Sequence, residues 1–300
     1  MRIVVAGGTG FVGRYITRAL VDGGHQVDVL GRSRSKADAI PMLAGAGSIE
    51  ADVTEPSSLT GVLSGADAVV GVVQFPNYPV ELPRKGLTFD RYDRRGTENL
   101  VAEARSSGVT RYVYLSGAGA DPASTKRWFR AKGLAEYAVA SSGLTYSILR
   151  PSWAYGPEDK ALNRFHQIAR FSPVVPQIGV KEQRVQPVHV DDIALAVTRI
   201  FEIEEAWGRT FEIGGEVMSM NGVIRTMLAV AGMRRIILPI PAPLAKAGTV
   251  PLLVLPKPLM SPGGIEFAIG DALVDASDTA TILGVAPVGL AEGLSRYLGR

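Results

Sequence analysis

The chain opens with a glycine-rich turn between a strand-like and a helix-like segment, and this feature constrains the fold more than any other. Residues 2–6 are a short β-branched run typical of a buried strand. Residues 11–21 have the apolar spacing of a helix, which Gly23 and Gly24 end. A second strand is predicted at residues 26–30. Together these segments predict a β-α-β unit at the start of the fold.

The turn itself carries the motif G-x-x-G-x-x-G. Gly7 allows a sharp turn out of the strand, Gly10 lets the backbone approach a pyrophosphate, and Gly13 lets the helix pack close to the sheet. The helix N-terminus adds free N–H groups and the positive end of the helix dipole. The alternative is a purely structural glycine turn, but the position between strand and helix favours a dinucleotide site. The contacts predicted from this turn are Gly7, Thr9, Gly10, Phe11, Val12 and Gly13.

The residues after the second strand indicate which dinucleotide binds. NAD-specific sites place an acidic residue there to bind the ribose 2′-hydroxyl, whereas this sequence has Arg32, Ser33 and Arg34. Guanidinium groups suit a 2′-phosphate, so we predict NADP(H) in preference to NAD(H); the alternative is a solvated basic loop. Asp52 and Val53 follow the next predicted strand and are expected to contact the adenine. Asp52 could equally be a turn residue.

Strand-like runs alternate with helix-like segments in the first half of the chain. The strands are predicted at residues 68–73, 111–115 and 145–149, and the helices at residues 96–107 and 126–142. This alternation predicts an α/β fold with a Rossmann-type, doubly wound parallel sheet. We assign residues 1–150 to this dinucleotide-binding domain. Residues 151–300 are assigned to a smaller C-terminal lobe on the substrate side, from which strands and helices can return to the sheet.

The second half of the chain has a looser pattern. Helices are expected at residues 163–170 and 191–204, and a strand is expected at residues 210–213. From residue 218 onwards the sequence predicts helices and proline-rich loops.

The composition excludes several classes of function. The net charge is +3, from 32 basic and 29 acidic residues without a basic run, so no nucleic-acid partner is expected. Cysteine is absent and histidine occurs three times, so neither a thiolate nucleophile nor a metal site is predicted. The sequence has no uninterrupted apolar stretch of about 20 residues and no targeting segment before the first strand. We therefore expect a cytoplasmic protein.

Several motifs resemble the extended and atypical short-chain dehydrogenase/reductase superfamily, and the resemblance covers essentially the whole chain. Besides the glycine turn, these motifs are residues 95–100, 112–116, 149–152, 155–157, 188–192 and 213–215. The resemblance implies an epimerase-like fold with an NAD(P) cofactor. It also implies further cofactor contacts at Val72, Val73, Ser116, Gly117, Lys132, Pro151 and Ser152.

The chain departs from this superfamily where the proton-transfer groups are expected. Active members use a tyrosine four residues before a lysine, together with a serine that orients the carbonyl. Here Lys132 is retained but Trp128 stands at the tyrosine position, and an indole cannot replace a phenol as a general acid. Gly117 stands at the serine position, with Ser116 one residue early. The other candidate proton donors, which lack the family spacing, are Tyr137, Tyr146 and Tyr155.

One branch of the superfamily combines these features. Residues 128–136, residues 255–259 and residues 283–284 are similar to the NADPH-binding accessory subunit of respiratory complex I and its bacterial relatives. In that branch the nucleotide is held rather than turned over, which implies a structural or redox-sensing function. The alternative is an NADPH-dependent oxidoreductase of a quinone, an enone or another small carbonyl-like acceptor.

Three sets of charged residues within these motifs have a structural and a functional interpretation. His189 with Asp191 and Asp192 suits acid–base chemistry, but one of the two aspartates is more often a helix cap. Glu136 lies one helical turn beyond Lys132, so an ion pair between them is the plain interpretation and a catalytic acid the alternative. Arg150 is interpreted as a structural charge at a strand end.

Residues 236–260 are apolar and interrupted by six prolines, which prevent a continuous spanning helix. One hypothesis is a contact with a membrane surface or a respiratory complex, which would place the protein peripherally at the inner face of a membrane. The alternative is a lid or wall of the substrate cleft.

Overall fold

Seven parallel strands form the centre of this molecule. Its structure is a computed structural model that describes residues 1–180, 183–249, 265 and 269–298. The strands are, in chain order, β1 (Arg2–Ala6), β2 (Gln26–Gly31), β3 (Gly47–Glu50), β4 (Ala68–Gly71), β5 (Arg111–Leu115), β6 (Thr145–Pro151), β7 (Trp153–Tyr155), β8 (Val174–Ile178), β9 (Arg184–Val185), β10 (Pro187–His189), β11 (Arg209–Ile213), β12 (Met218–Ser219) and β13 (Ile236–Ile240).

The α-helices of the described residues are α1 (Phe11–Asp22), α2 (Arg34–Asp38), α3 (Pro56–Leu59), α4 (Gly96–Ser106), α5 (Arg127–Ala140), α6 (Leu162–Phe171), α7 (Val190–Glu202), α8 (Met220–Val230), α9 (Ala242–Thr249), α10 (Ser277–Thr281) and α11 (Leu290–Leu298). A π-helical turn at Asp90–Arg95 leads directly into α4. The helices predicted in the first half of the chain are present, with ends that differ by up to two residues.

The central sheet has the strand order β11-β6-β5-β4-β1-β2-β3, and every pair in it is parallel. The order turns outwards on both sides of β1, as in a doubly wound sheet, so the predicted fold class is confirmed. In the register of the sheet, Ala6 is paired with both Leu30 and Gly71. The carboxyl ends of the strands therefore meet along one edge, where the loops carry the predicted site.

The central sheet buries both of its faces, as its apolar strands predict. Alternate residues of β1 enter different layers: Ile3 and Val5 pack with α1 and α7, whereas Val4 and Ala6 pack with α4 and α5. All four side chains are fully buried. Both α7 and the edge strand β11 come from the second half of the chain, so this half contributes to the Rossmann layer as well as to the smaller lobe.

The smaller lobe contains three two-stranded sheets: β7 with β10, β8 with β13, and β9 with β12. Its core joins residues of α6, α8 and α11, among them Leu162, Met227 and Leu294. The prediction of helices and loops alone from residue 218 onwards was wrong, because β12 and β13 are strands. The run Ile236–Ile240 is short and contains a proline, and its pairing with β8 depends on residues far away in the sequence.

Candidate dinucleotide site

The turn between β1 and α1 has a backbone that only glycine fits. Gly7 has a φ of 89°, donates its N–H to the Leu30 carbonyl at 3.0 Å, and would bring a Cβ to 2.8 Å from the Val72 carbonyl oxygen. A Cβ on Gly13 would overlap the carbonyl of Gly7. The glycines at both positions therefore allow the strand, the turn and the helix to approach one another closely.

The N-terminus of α1 is open towards solvent above this turn. Its N-cap is Gly10, which offers no side-chain acceptor, and its first turn has no acidic residue. A Cβ on Gly10 would meet only the Gly7 carbonyl, at 3.1 Å, so the space above it is free. Arg14 donates from the side to the carbonyls of Thr9 and Gly10. Uncapped N–H groups, a positive dipole end and an open glycine surface fit a pyrophosphate.

The basic residues after β2 occupy the next position along the edge. The Arg32 guanidinium lies 5.8 Å from the centre of the Tyr92 ring, a buried residue of the π-helical turn. Ser33 is the N-cap of α2 and accepts from the Lys36 N–H at 3.3 Å. The side chain of Arg34 is exposed, and its N–H donates to Glu50 at 3.1 Å.

Asp52 and Val53 follow β3 on the same edge. Asp52 accepts from the N–H and the hydroxyl of Thr54, both at 2.9 Å, so it forms the turn that was one of its two interpretations. Val53 is buried, its carbonyl accepts from the Asn99 amide at 2.8 Å, and its side chain lies against Gly96. Through these contacts, α4 holds the loop after β3 beside the glycine turn.

The residues expected at the nicotinamide end follow β4, β5 and β6. Val72 continues the ladder by donating to the Ala6 carbonyl, and Val73 is buried. Ser116 is buried, and its hydroxyl has no hydrogen-bond partner among the described residues. Pro151 accepts from the Ala118 N–H, whereas the Ser152 hydroxyl donates to the Ala272 carbonyl in the smaller lobe. The Ser152 side chain therefore connects the edge of the sheet to the lobe.

Trp128 and Gly117 form one steric unit. The six-membered ring of the indole lies over Gly117, and a Cβ at that position would be 2.6 Å from Cη2 of Trp128. Because real Cβ atoms do not approach other atoms so closely, a serine at position 117 requires the indole to move. The indole also contacts the rings of Tyr78 and Phe129, with centroids 6.3 and 5.0 Å away.

Lys132 is paired with an aspartate that the sequence did not indicate. The Lys132 ammonium lies 3.3 Å from Asp93 Oδ1 and donates to the Leu115 carbonyl at 3.3 Å. The two side chains are 4% and 0% exposed, so the pair is shielded from water. Burial raises the pKa of Asp93, and the nearby Lys132 charge opposes this rise. The predicted ion pair between Lys132 and Glu136 was therefore wrong.

Glu136 instead binds Arg150 with both carboxylate oxygens, at 2.8 and 2.6 Å. A second carboxylate, that of Glu212 on β11, lies 3.6 Å from the same guanidinium. Arg150 thus links α5 to the two outer strands β6 and β11. The Arg150 side chain is long and ends in a forked guanidinium, so it reaches from β6 to Glu136 on α5. The shorter Lys132 side chain is paired with Asp93 instead.

The His189 cluster begins α7, as its structural interpretation predicted, but the capping residue was assigned wrongly. The His189 ring itself caps the helix, because its Nδ1 accepts from the Asp191 N–H at 3.3 Å. Asp192 accepts from the Val288 N–H, and burial raises its pKa. Within the described ranges, no group of three histidine, aspartate or glutamate residues could hold a metal ion.

The sequence missed two residues of this site, Asp93 and Tyr92. Both lie in Asp90–Arg95, whose alternating charges are typical of a solvated helix surface. The one sequence feature that could have placed Asp93 on the helix of Thr97 is the spacing of four residues between them. In the structure the Thr97 hydroxyl donates to the Asp93 carbonyl at 2.7 Å.

The doubly wound sheet and the glycine turn define a Rossmann-type, dinucleotide-binding protein of the short-chain dehydrogenase/reductase class. A family model described as NAD(P)H-binding matches residues 7–175, and the chain belongs to this family. It is an atypical member of the superfamily that resembles the complex I subunit.

Relatives agree with this class, and solved structures agree with the fold. An NADH dehydrogenase [ubiquinone] 1 alpha subcomplex subunit 9 of Arabidopsis thaliana is 29% identical in an alignment of 269 residues that covers 86% of this chain and 66% of that protein. The chain thus spans slightly less than two thirds of that relative. A 2-alkyl-3-oxoalkanoate reductase of Stenotrophomonas maltophilia is 30% identical over 79% of this chain and 77% of its own. A UDP-glucose 4-epimerase of Thermotoga maritima has a TM-score of 0.77 at 20% identity, over 99% of this chain and 97% of its own, and shows the fold alone.

Proposed function

We propose that this chain binds NADP(H) and holds it as a structural or redox-sensing group, without the tyrosine of active superfamily members. The observation that carries this proposal is the Trp128–Gly117 unit. In this unit Trp128 stands at the position expected for tyrosine and Gly117 at the position expected for serine. An indole donates one N–H and does not titrate. The lysine expected beside the ribose is paired with the buried Asp93.

The proposed preference for NADP(H) rests on the surroundings of β2. Arg32 and Arg34 are exposed at its carboxyl end, and Arg32 lies against the Tyr92 ring. A guanidinium placed in this way can pair with a 2′-phosphate. The residues proposed to hold the nucleotide are Gly7, Thr9, Gly10, Phe11, Val12, Gly13, Arg32, Ser33, Arg34, Asp52, Val53, Val72, Val73, Ser116, Gly117, Lys132, Pro151 and Ser152.

Retention of the nucleotide is supported by contacts between the smaller lobe and the first turns of α1. Gly156 lies against the Phe11 ring, because a Cβ there would be 3.3 Å from ring carbons. Tyr15 donates its hydroxyl to Glu158 at 2.8 Å. The lobe therefore packs against the helix that follows the turn proposed to bind the pyrophosphate. Relatives from Arabidopsis thaliana and Neurospora crassa are named as subunits of respiratory NADH dehydrogenases, which supports an association of this chain with a respiratory complex.

A second candidate function is an NADPH-dependent oxidoreductase of a quinone, an enone or another small carbonyl-like acceptor. The relative named 2-alkyl-3-oxoalkanoate reductase supports this candidate, since it is as similar to the chain as the respiratory subunits are. A bound nicotinamide would supply hydride. The chain's own contribution would be the buried Ser116 hydroxyl, which has no hydrogen-bond partner among the described residues.

The oxidation of NADPH in the presence of a panel of quinones, enones and 3-oxo acids separates the two candidates. If the nucleotide is held, the absorbance of NADPH stays constant with every acceptor while binding is retained. Acceptor-dependent oxidation of NADPH that is lost in Ser116→Ala, with NADPH binding measured separately on that variant, would establish the reductase instead.

We also propose that residues 236–260 contact a respiratory complex or a membrane surface. The protein would then be cytoplasmic and lie peripherally at the inner face of a membrane. The structure describes residues 236–249 of this segment, and residues 250–260 lie outside the described part. Among the described helices, none combines the length and the apolar composition that a membrane span requires.

A further inference from the structure

The two-stranded sheet of β8 and β13 has an apolar outer face. The register pairs Ile236 with Val174, Leu238 with Pro176 and Ile240 with Ile178. The alternate residues Val175 and Ile237 point inwards to the core of the smaller lobe. In a sheet with one solvated face, the outer positions are normally polar. Here all six outer positions are apolar, so the pattern is not that of a solvent-exposed sheet face.

Side chains beside this sheet extend the apolar face. Phe171, at the end of α6, is 87% exposed, and Val180 and Leu244 are 69% and 66% exposed. On the sheet itself, Ile236 is 65% exposed and Leu238 is 51% exposed. Half of the large exposed hydrophobic side chains among the described residues belong to this one region. We call these five residues and the sheet positions the apolar face; their concentration indicates a contact surface.

Basic residues border the apolar face, and among the residues that the structure describes no acidic residue belongs to it. Residues 160–180 and 217–249, which include both strands of this sheet and the segments next to them in the sequence, contain seven of the 32 basic residues and none of the 29 acidic residues. Arg170 and Phe171 lie just before β8, and Arg234 and Arg235 lie just before β13. Because the two strands are parallel, these cations gather at one end of the face.

The cations at this end have no carboxylate partners in the described part of the chain. Arg170 lies over the Phe171 ring at 5.8 Å, and Arg235 donates only to the backbone carbonyls of Ala169 and Arg234. Many arginines of the Rossmann layer do have such partners, as Arg94 has in Asp90. A surface with exposed apolar side chains, unneutralised guanidinium groups and no acids matches the interfacial layer of an anionic bilayer.

We propose that the apolar face and its arginine border bind the surface of a membrane that contains anionic phospholipid. Phe171, Ile236, Leu238 and Leu244 would enter the boundary of the acyl chains, while Arg170 and Arg234 pair with lipid phosphates. This inference goes beyond the nucleotide function. It also replaces the broad contact of residues 236–260 with one defined surface and one partner.

Sedimentation of the full chain with vesicles tests this proposal. Vesicles of equal parts phosphatidylcholine and phosphatidylglycerol should bind the protein, phosphatidylcholine vesicles should bind it at least about tenfold more weakly, and high salt should release it. The variant Arg170→Gln/Arg234→Gln should lose about fivefold in affinity for each cation. Phe171→Ser/Ile236→Ser should lose at least about tenfold, because it removes two apolar anchors.

Matched controls are Arg105→Gln/Arg130→Gln, which removes two other exposed cations, and Tyr137→Ser/Leu195→Ser, which removes exposed apolar groups elsewhere. Both controls should bind vesicles like the unaltered chain. NADPH affinity, measured on every variant, separates this test from that of the nucleotide function. The proposal is overturned if the unaltered chain ignores the anionic vesicles, or if both face variants bind as strongly as their controls.

Discussion

Arg32 is the side chain on which the proposed nucleotide preference depends most. Its guanidinium lies at the carboxyl end of β2 against Tyr92, whereas an NAD-specific site would have a carboxylate there. An aspartate at this position would repel a 2′-phosphate and could accept from a 2′-hydroxyl. We therefore expect Arg32→Asp to weaken NADPH binding by about 10–100-fold, the value of a hydrogen bond between charged groups, with no comparable loss for NADH.

Fluorescence titration with both nucleotides measures this change. Arg105→Asp, which places the same charge change on the exposed side of α4, is the control and should leave both affinities unaltered. An unchanged ratio of NADPH to NADH affinity in Arg32→Asp would show that another residue binds the 2′-phosphate.

Asp159 gives a second test at the scale of a residue, and it concerns stability. The Asp159 carboxylate accepts from the N–H groups of Ala161 and Leu162 at 2.8 and 2.7 Å, but burial raises its pKa to about 6. In the unfolded chain an aspartate titrates near 3.9. In the folded state Asp159 therefore keeps its proton up to a higher pH than in the unfolded chain. The free energy of unfolding falls as the pH rises from about 4 to about 6.

Asp159→Asn should remove this dependence, because an amide oxygen can still accept both bonds and carries no charge. The variant should gain about 2–3 kcal/mol over the unaltered chain between pH 4 and pH 7, from about 1.4 kcal/mol per pKa unit. Urea unfolding at a series of pH values measures the difference. A constant difference across this range would mean that Asp159 titrates normally in the folded protein.

At the scale of elements, the loop after β5 and the start of α5 depend on each other through Gly117 and Trp128. A Cβ at position 117 conflicts with the indole, so Gly117→Ser should cost about 1–3 kcal/mol of unfolding free energy. In a Trp128→Tyr background the smaller ring leaves room, and the same substitution should cost clearly less. The two changes should therefore be non-additive by at least about 0.5 kcal/mol.

A double-mutant cycle in urea measures this coupling. Gly289→Ser is the matched control, since a Cβ there would meet nothing within 4 Å, and its cost should be equal in both backgrounds. Equal costs of Gly117→Ser in both backgrounds would contradict the steric unit and remove the main support for the proposed function.

Elements whose signals are local could be predicted from the sequence, and those that depend on distant partners could not. The unit β1-α1-β2 was predicted because the strand, the glycine turn and the helix follow one another directly. The strand β13 was not, because an apolar run with a proline becomes a strand only where β8 provides the partner. For the same reason, the pairing of Lys132 with Asp93 was not visible: the π-helical turn brings them together from separate segments.

At the scale of the whole molecule, the smaller lobe is attached to the Rossmann layer beside the proposed site. Ser152 bonds to Ala272, and Glu212 of β11 accepts from the Asp275 N–H and, through its carbonyl, from the Thr279 hydroxyl. These contacts, with that of Gly156 on Phe11, connect the second half of the chain to residues at the carboxyl edge of the sheet. Under the proposed function, we expect these contacts to slow the release of a bound nucleotide.

The exchange rate of bound NADPH tests the central claim most directly. The purified protein is loaded with NADPH and chased with excess NADP⁺, and the loss of nicotinamide fluorescence is followed. If the nucleotide is a held group, the fluorescence persists for hours, and Gly10→Val, which fills the open space above the turn, never loads. Release within seconds would contradict the account and identify NADPH as a co-substrate.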